Sequence, residues 1–282
     1  MTASDSSAES SNKARLDRFW DGNRDYYEQA ATANPEASPE RQRLFAYLEP
    51  GDRVLDLGSG SCENALWLPA GSRYVGTDVS TAALVMADEK GRPGERVRSD
   101  GETLPFATAS FDAVISTWAL EHFHRPAQTL LEAARVLRPG GLLLVVGSAW
   151  DLPYDLPPSL DPRRRLGLAA VRLLRQLRSL LDGSHVFELV AEPRVLTEGY
   201  VPDADAVHVA QSWRLERFLR AAGLELEIFE PLPHRPDPKG ARGMLRRLLR
   251  LVPAWRRGWG STLFAVRRGE RLHRPAFRRV FL

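Results

Sequence analysis

The sequence predicts a doubly wound α/β fold: seven strands in a mostly parallel sheet with helices on both faces, an antiparallel C-terminal strand and helical cap insertions. Three observations carry this. Short, near-continuous apolar runs alternate with helical stretches, as they do when strands are buried on both faces. The first run, Val54, Leu55 and Leu57 around Asp56, ends in the turn Gly58-Ser59-Gly60. The second run, Tyr74 and Val75, ends in Asp78, about 20 residues past the first glycine, where a carboxylate can take both hydroxyls of a ribose.

In chain order, residues 1–13, rich in Ser, Ala and Thr, read as disordered. A helix then carries Leu16, Phe19, Trp20, Tyr26 and Tyr27, with a break expected at Gly22-Asn23. Ser38-Pro39-Glu40 is a helix start, a serine N-cap with proline at the first helical position. After the first two strands, candidates follow at residues 96–99, 111–116 and 141–147; between the last two, Pro126 opens a helix with Leu130, Ala134 and Leu137 on one stripe.

Residues 148–210 leave this rhythm as a first cap insertion. A proline-rich stretch leads into a helix from Asp161-Pro162 whose Leu173, Leu177 and Leu180 face one way and Arg172, Arg175, Gln176 and Ser179 another. Ser212 reads as an N-cap for a helix ending at Gly223. Residues 224–229 and 262–266 read as an antiparallel pair around a second insertion, 231–260, with a basic amphipathic segment, and a basic tail at 269–282. Residues 14–282 are thus expected to form one domain with two caps.

Composition bounds the rest. The chain has 282 residues, 43% hydrophobic and 27% charged, ordinary values for a globular enzyme. With no long apolar run and no basic, apolar leader, the expected location is cytoplasmic. Cys62 is the only cysteine, which leaves no internal disulfide and no Cys-based metal cluster. From Arg235 onward fourteen Lys or Arg stand against Asp237 and Glu270, a net +12, so within the overall +3 the first 234 residues carry −9. Such asymmetry suggests an anionic partner or an electrostatic dock within or between chains.

The glycine turn narrows the ligand. Glu63 stands where a dinucleotide fingerprint needs its third glycine, and no Gly-Lys-Ser/Thr follows as a P-loop requires. Asp56 ahead of the glycines would repel a pyrophosphate but can pair with an ammonium. A ribose, an amino-acid ammonium and no phosphate together describe S-adenosylmethionine.

On these residues the sequence resembles the class I S-adenosylmethionine-dependent methyltransferases of the small-molecule type, whose fold is Rossmann-like. The resemblance runs from residue 53 to 147 and resumes at 212–230. It implies that Asp56, Gly58, Ser59 and Gly60 line the methionine moiety, that Asp78 binds the ribose with Val79 beside the adenine, and that Asp100 faces the adenine amino group with Gly101 and Glu102 alongside. Phe111-Asp112-Ala113-Val114, Leu120-Glu121-His122 and Val136-Leu137-Arg138-Pro139-Gly140-Gly141 match the fourth strand, its turn and the approach to the fifth. Ser116-Thr117-Trp118-Ala119 replaces the Asn/Asp-Pro-Pro-Tyr of adenine-N6 and glutamine methylation, and Cys62 lies outside any nucleophile motif of cytosine-C5 methylation.

In a sheet of order 3-2-1-4-5 the ligand crevice lies between the ends of strands one and four. Ser116, Thr117, Trp118, Glu121, His122 and His124 should then face the transferred methyl, with Thr117 counted among the cofactor-binding residues. Methyl transfer from a sulfonium is an in-line displacement in which alignment can contribute about 7 to 11 kcal/mol. An oxygen acceptor, on a small or lipid-linked molecule, would use a base poised near neutral pH, and His122 is the first candidate ahead of His124. Glu121-His122 could equally be a packing element, and Trp20, Tyr26 and Tyr27 read as core aromatics before a lid. Asp151, Tyr154 and Asp155 could reach an acceptor from the loop after strand five.

Three readings of the basic amphipathic helices stay open. They form a cap whose leucines pack and whose arginines are solvated, or they rest on an anionic membrane with Trp255 and Trp259 as anchors, or they meet a soluble anion, nucleic acid being the weakest case. The competing functional class is a methyltransferase-fold binding protein that docks its basic end without catalysis.

Overall fold

A computed structural model describes residues 3–33, 39–190, 193, 201–232, 240–249, 251–252, 255 and 260–281. Helices α1 (Ala3–Gly22), α2 (Arg24–Ala33) and α3 (Pro39–Phe45) precede β1 (Arg53–Leu57). A 3-10 turn, Glu63–Trp67, leads to β2 (Arg73–Asp78), α4 (Thr81–Glu89), β3 (Glu95–Arg98) and β4 (Phe111–Thr117). A second 3-10 turn, Leu120–His122, precedes α5 (Pro126–Val136) and β5 (Leu137–Ala149). The chain continues through α6 (Arg165–Asp182), β6 (His185–Leu189), β7 (His208–Val209), α7 (Ser212–Ala221), β8 (Leu224–Leu232), α8 (Ala241–Leu249), β9 (Gly260–Arg268) and β10 (Phe277–Phe281).

Seven strands form one sheet in the order β3-β2-β1-β4-β5-β9-β8. The first five are parallel, and β9 enters antiparallel between β5 and β8. Strand alternation splits the core. Val114, Leu143 and Val145 pack with Leu130 of α5 and Phe218 and Leu219 of α7 on one face. Their neighbours Ala113, Ile115, Leu144 and Val146 pack with Leu44 and Phe45 of α3 on the other. The order reverses between β1 and β4, and that reversal opens the crevice at their C-terminal ends.

Several elements differ from the sequence reading. Helix α1 spans Ala3–Gly22 and so covers most of the stretch expected to be disordered; its Ala, Ser and Glu content opposes a helix only weakly. Part of the expected basic tail is β10, which pairs in parallel with β6 in a second sheet of order β10-β6-β7. Part of the basic charge meets acids within the chain, Arg267 pairing with Glu227 across β8 and β9 at 2.5 Å and Arg278 lying 3.9 Å from Asp182. Ser212 is the first residue of α7, and its N–H donates to Asp151 Oδ1 at 2.6 Å. Asp151, wholly buried, therefore caps α7 from the far side of the chain and does not reach toward an acceptor.

Helix α6 is rotated opposite to the packing its leucines suggest. Arg172, Gln176 and Ser179 are buried, whereas Leu173, Leu174, Leu177, Leu180 and Leu181 are exposed. Polar anchors set this rotation. Arg172 Nε donates to Glu188 Oε2 at 2.8 Å, and its other nitrogens donate to the carbonyls of Trp150, Leu152, Pro153 and Asp155. Gln176 donates to Asp151 O at 3.0 Å and accepts from Trp255 Nε1 at 2.9 Å. Trp255 is thus a buried anchor for α6 and no surface aromatic; Trp259 and Ser38 lie outside the described residues. Among the described residues no helix is long and apolar enough to cross a membrane.

Candidate active site

The glycine turn after β1 is held by β2. Ser59 N–H donates to Thr77 O at 2.9 Å, and Gly60 N–H donates to Asp78 Oδ2 at 2.8 Å. The other Asp78 oxygen accepts from Ser80 N–H at 2.9 Å, where Ser80 caps α4. Val79 N–H is a third backbone donor to this carboxylate, whose two oxygens can accept four hydrogen bonds in all. Burial raises the Asp78 pKa against those backbone N–H groups and the nearby His122. Gly58 (φ +68°) and Gly60 (φ +52°) are left-handed, and a Cβ on Gly58 would lie 2.4 Å from Ala119 Cβ.

Asp56 does not line the turn as an open acid. It is wholly buried, and its Oδ2 accepts from Tyr74 Oη at 2.7 Å and Asn64 Nδ2 at 3.0 Å. Asn64 Nδ2 also lies 2.9 Å from Thr117 Oγ1, so one amide ties the ends of β1 and β4 together. Asp56 Oδ1 has no hydrogen-bond partner. Burial pushes the carboxyl up to about 6 against the two donors. Asn64 and Tyr74 escape a sequence reading because their partner is eight and eighteen residues away, on another element. Gly76, mid-strand, carried a legible signal: a Cβ there would sit 2.7 Å from Cys62 Sγ. Glu63, in place of a third glycine, pairs with Arg92 and Lys90 and fastens the 3-10 turn to the end of α4.

Around this turn stand the remaining sequence candidates. Lys13 of α1 lies 3.4 Å from Asp100 and 3.8 Å from Glu102. Glu102 N–H donates to Asp100 Oδ1 at 3.0 Å across Gly101, itself left-handed at φ +77°. Val79 packs with Trp20 and Tyr27, and Tyr27 lies against Gly60. The aromatics of α1 and α2 are therefore core: they pack with Ala83 and Met86 of α4, and Tyr27 also lies against Gly60 of the glycine turn.

On the acceptor side, β4 ends in Trp118 at φ +48°, with its N–H donating to Val146 O. Cys62, Trp118 and Asp203 are three of the four left-handed non-glycine residues among those described. Such conformations cost about 1 to 3 kcal/mol each and persist where packing holds them. His122 Nδ1 lies 3.5 Å from Asp205 Oδ2, and the same oxygen accepts from Trp20 Nε1 at 2.7 Å. Burial opposes the charged imidazole, but Asp205, Glu121 and Asp203 outweigh it and raise the His122 pKa. His124 is different: burial drives it down to about 3, so it stays neutral near neutral pH.

Glu121 is buried beside the Asp203 carboxylate, to which its protonated form can donate, and Oε2 faces the backbone of Gly147. Burial and then the Asp203 carboxylate push it up to about 8, so it holds its proton near neutrality. Ser148 Oγ contacts both Asp203 oxygens at 3.0 and 3.1 Å. Neither Asp203 nor Asp205 carries a sequence signal. They reach the site because Val207 N–H donates to Glu121 O at 2.8 Å, laying that loop across the turn after β4. His208 of β7 lies against this turn, with the backbone of Leu120 as its hydrogen-bond partner, and burial drives it down to about 3; His185 sits on β6.

Comparison with known proteins agrees with this geometry. The family described as Methyltransferase domain matches residues 55–145. A demethylmenaquinone methyltransferase of Corynebacterium glutamicum is 42% identical over 106 residues, 37% of this chain and 44% of that protein. An uncharacterized methyltransferase of Mycobacterium tuberculosis is 36% identical over 116 residues, 39% of this chain and 46% of its own. The chain thus spans less than half the length of these curated relatives. Among solved structures, an S-adenosylmethionine-dependent methyltransferase from Mesorhizobium loti superposes with a TM-score of 0.51 at 21% identity, covering 83% of this chain and 99% of that one. That likeness establishes the fold.

Proposed function

We propose that the chain, whose residues 55–145 are a methyltransferase domain within a class I S-adenosylmethionine-dependent fold, transfers a methyl group from S-adenosylmethionine to the oxygen of a small or lipid-linked acceptor. The observation that carries this is Asp78, buried among the N–H groups of Gly60, Val79 and Ser80 with one lone pair left for a ribose hydroxyl. When bound, the cofactor supplies an electrophilic methyl on a sulfonium. Asp78 would hold the ribose, Val79 would lie beside the adenine, and Asp100, Gly101 and Glu102 would meet the adenine edge. Gly58, Ser59, Gly60 and Thr117 would line the methionine end, with Asp56 holding that loop through Asn64.

His122 would take the proton of an acceptor hydroxyl, with the Asp205 carboxylate 3.5 Å from Nδ1 favouring the protonated product. The demethylmenaquinone methyltransferases, similar to this chain over 106 residues, support a small-molecule acceptor.

Titration calorimetry with S-adenosylmethionine and S-adenosylhomocysteine tests the donor, and the absence of binding at millimolar ligand would sink the reading in favour of a non-catalytic binding protein. Mass spectrometry of a co-purifying metabolite, followed by methyl-transfer assays with it and with demethylmenaquinol, tests the acceptor.

A further inference from the structure

We propose that the outward leucine face of α6 is a docking surface for an anionic lipid bilayer. Leu174 and Leu181 are 69% and 89% exposed, and Leu173, Leu177 and Leu180 flank them on one arc of the helix. Spacings of three and four residues make this a continuous stripe along a helix about 27 Å long. Leucines in such an arrangement normally pack inward. Here they cannot. The opposite face is consumed by Arg172, Gln176 and Ser179, and turning the leucines inward would break the Arg172–Glu188 pair and four bonds to carbonyls. The structure therefore holds the apolar stripe outward as a fixed feature.

Charge selects the occupant. The segment from Asp161 to Asp182 carries, outside the buried Arg172, five arginines (163, 164, 165, 175, 178) against two aspartates. Arg178, 78% exposed, borders the stripe, and Arg163 and Arg164 are exposed at its N-terminal end. A second copy placed on this face would bring like charges together. A leaflet with anionic headgroups neutralises them while its acyl region receives the leucines, the geometry of an interfacial amphipathic helix. Helix α8 also exposes apolar side chains, Met244 and Leu248, followed by Leu251 in the turn after it, and Trp255 ties that segment to α6 by its bond to Gln176.

This inference stands on the exposed face alone and holds whether or not the chain transfers methyl groups. The test is flotation of the full chain with phosphatidylcholine vesicles, with and without one third phosphatidylglycerol. Binding is expected only to the anionic vesicles, falling about fivefold with each of Arg163→Gln and Arg164→Gln. Leu174→Glu together with Leu181→Glu should weaken it at least about tenfold, with unchanged circular dichroism and S-adenosylmethionine affinity because both side chains point to solvent. Failure to float with anionic vesicles overturns the proposal. So does flotation unaffected by the paired leucine substitutions, equal binding to neutral vesicles, or a dimer in sedimentation velocity that those substitutions dissociate.

Discussion

Arg172 Nε lies 2.8 Å from Glu188 Oε2, with both side chains fully removed from solvent. Glu188 also accepts from Gln211 Nε2 at 2.7 Å and Arg214 Nη1 at 3.1 Å, so one carboxylate is shared by two buried guanidinium groups. Removing one partner of a buried pair costs about 3 to 5 kcal/mol, because the remaining charge stays desolvated. Glu188→Gln should therefore lower the denaturant-midpoint stability by about that amount. Arg172→Met should cost a similar amount through the four carbonyls it strands.

Gly58→Ala combines a left-handed backbone with a Cβ 2.4 Å from Ala119 Cβ, so the turn after β4 must move. A fall of at least about tenfold in S-adenosylmethionine affinity is expected, with about 1 kcal/mol or more lost in stability. Gly51→Ala is the control, since it has φ +89° but open space around it. Calorimetry should show its cofactor affinity intact.

Lys13→Ala removes the contacts from α1 to Asp100 and Glu102, all of them between partly exposed groups. Exposed pairs contribute about 0 to 1 kcal/mol. Cofactor affinity should fall by less than about fivefold, whereas Asp78→Ala, which removes a buried acceptor of three backbone N–H groups, should weaken it by about tenfold or more.

Glu121 gives the stability a signed pH dependence. Its folded pKa is raised from 4.5 to about 8, so the native state holds a proton the unfolded chain releases. Its contribution is fully present below 4.5 and is lost as pH rises toward 8. Buried His124 and His208, lowered from 6.5 to about 3, act in the opposite sense: their contribution is present above 6.5 and is lost as pH falls. Above pH 6.5 the effect of His124 and His208 is complete, and the raised groups Glu121, Asp151 (up to about 7) and His122 lose their contributions as pH rises. Melting temperature should fall between pH 6.5 and 8, and Glu121→Gln should remove part of that slope; an unchanged slope would count against the assignment.

The donor half of the site was legible because it is local. Gly58, Gly60 and Asp78 lie on two successive strands, and the positions of such residues relative to strand ends follow from chain order. Asp56 was legible as an acid but not as a buried one, because Tyr74 and Asn64 meet it only once β1 and β2 pair in register. His122 could be singled out after strand four; its partner Asp205 could not, since it comes from a loop more than 80 residues later.

By itself, the sequence determined the alternation of strands and helices, the sheet order through β5, the antiparallel pairing of β8 with β9, and the place of the glycine turn and its acid at the strand ends. These follow from apolar periodicity and from backbone conformations that only certain residues adopt. Tertiary structure alone decided the rotation of α6, the burial of Trp255 and the carboxylates around His122. Amphipathicity marks two faces of a helix without saying which turns inward. On α6 that was settled by one guanidinium, because a buried arginine satisfied by Glu188 and four carbonyls outweighs the exposure of a row of leucines.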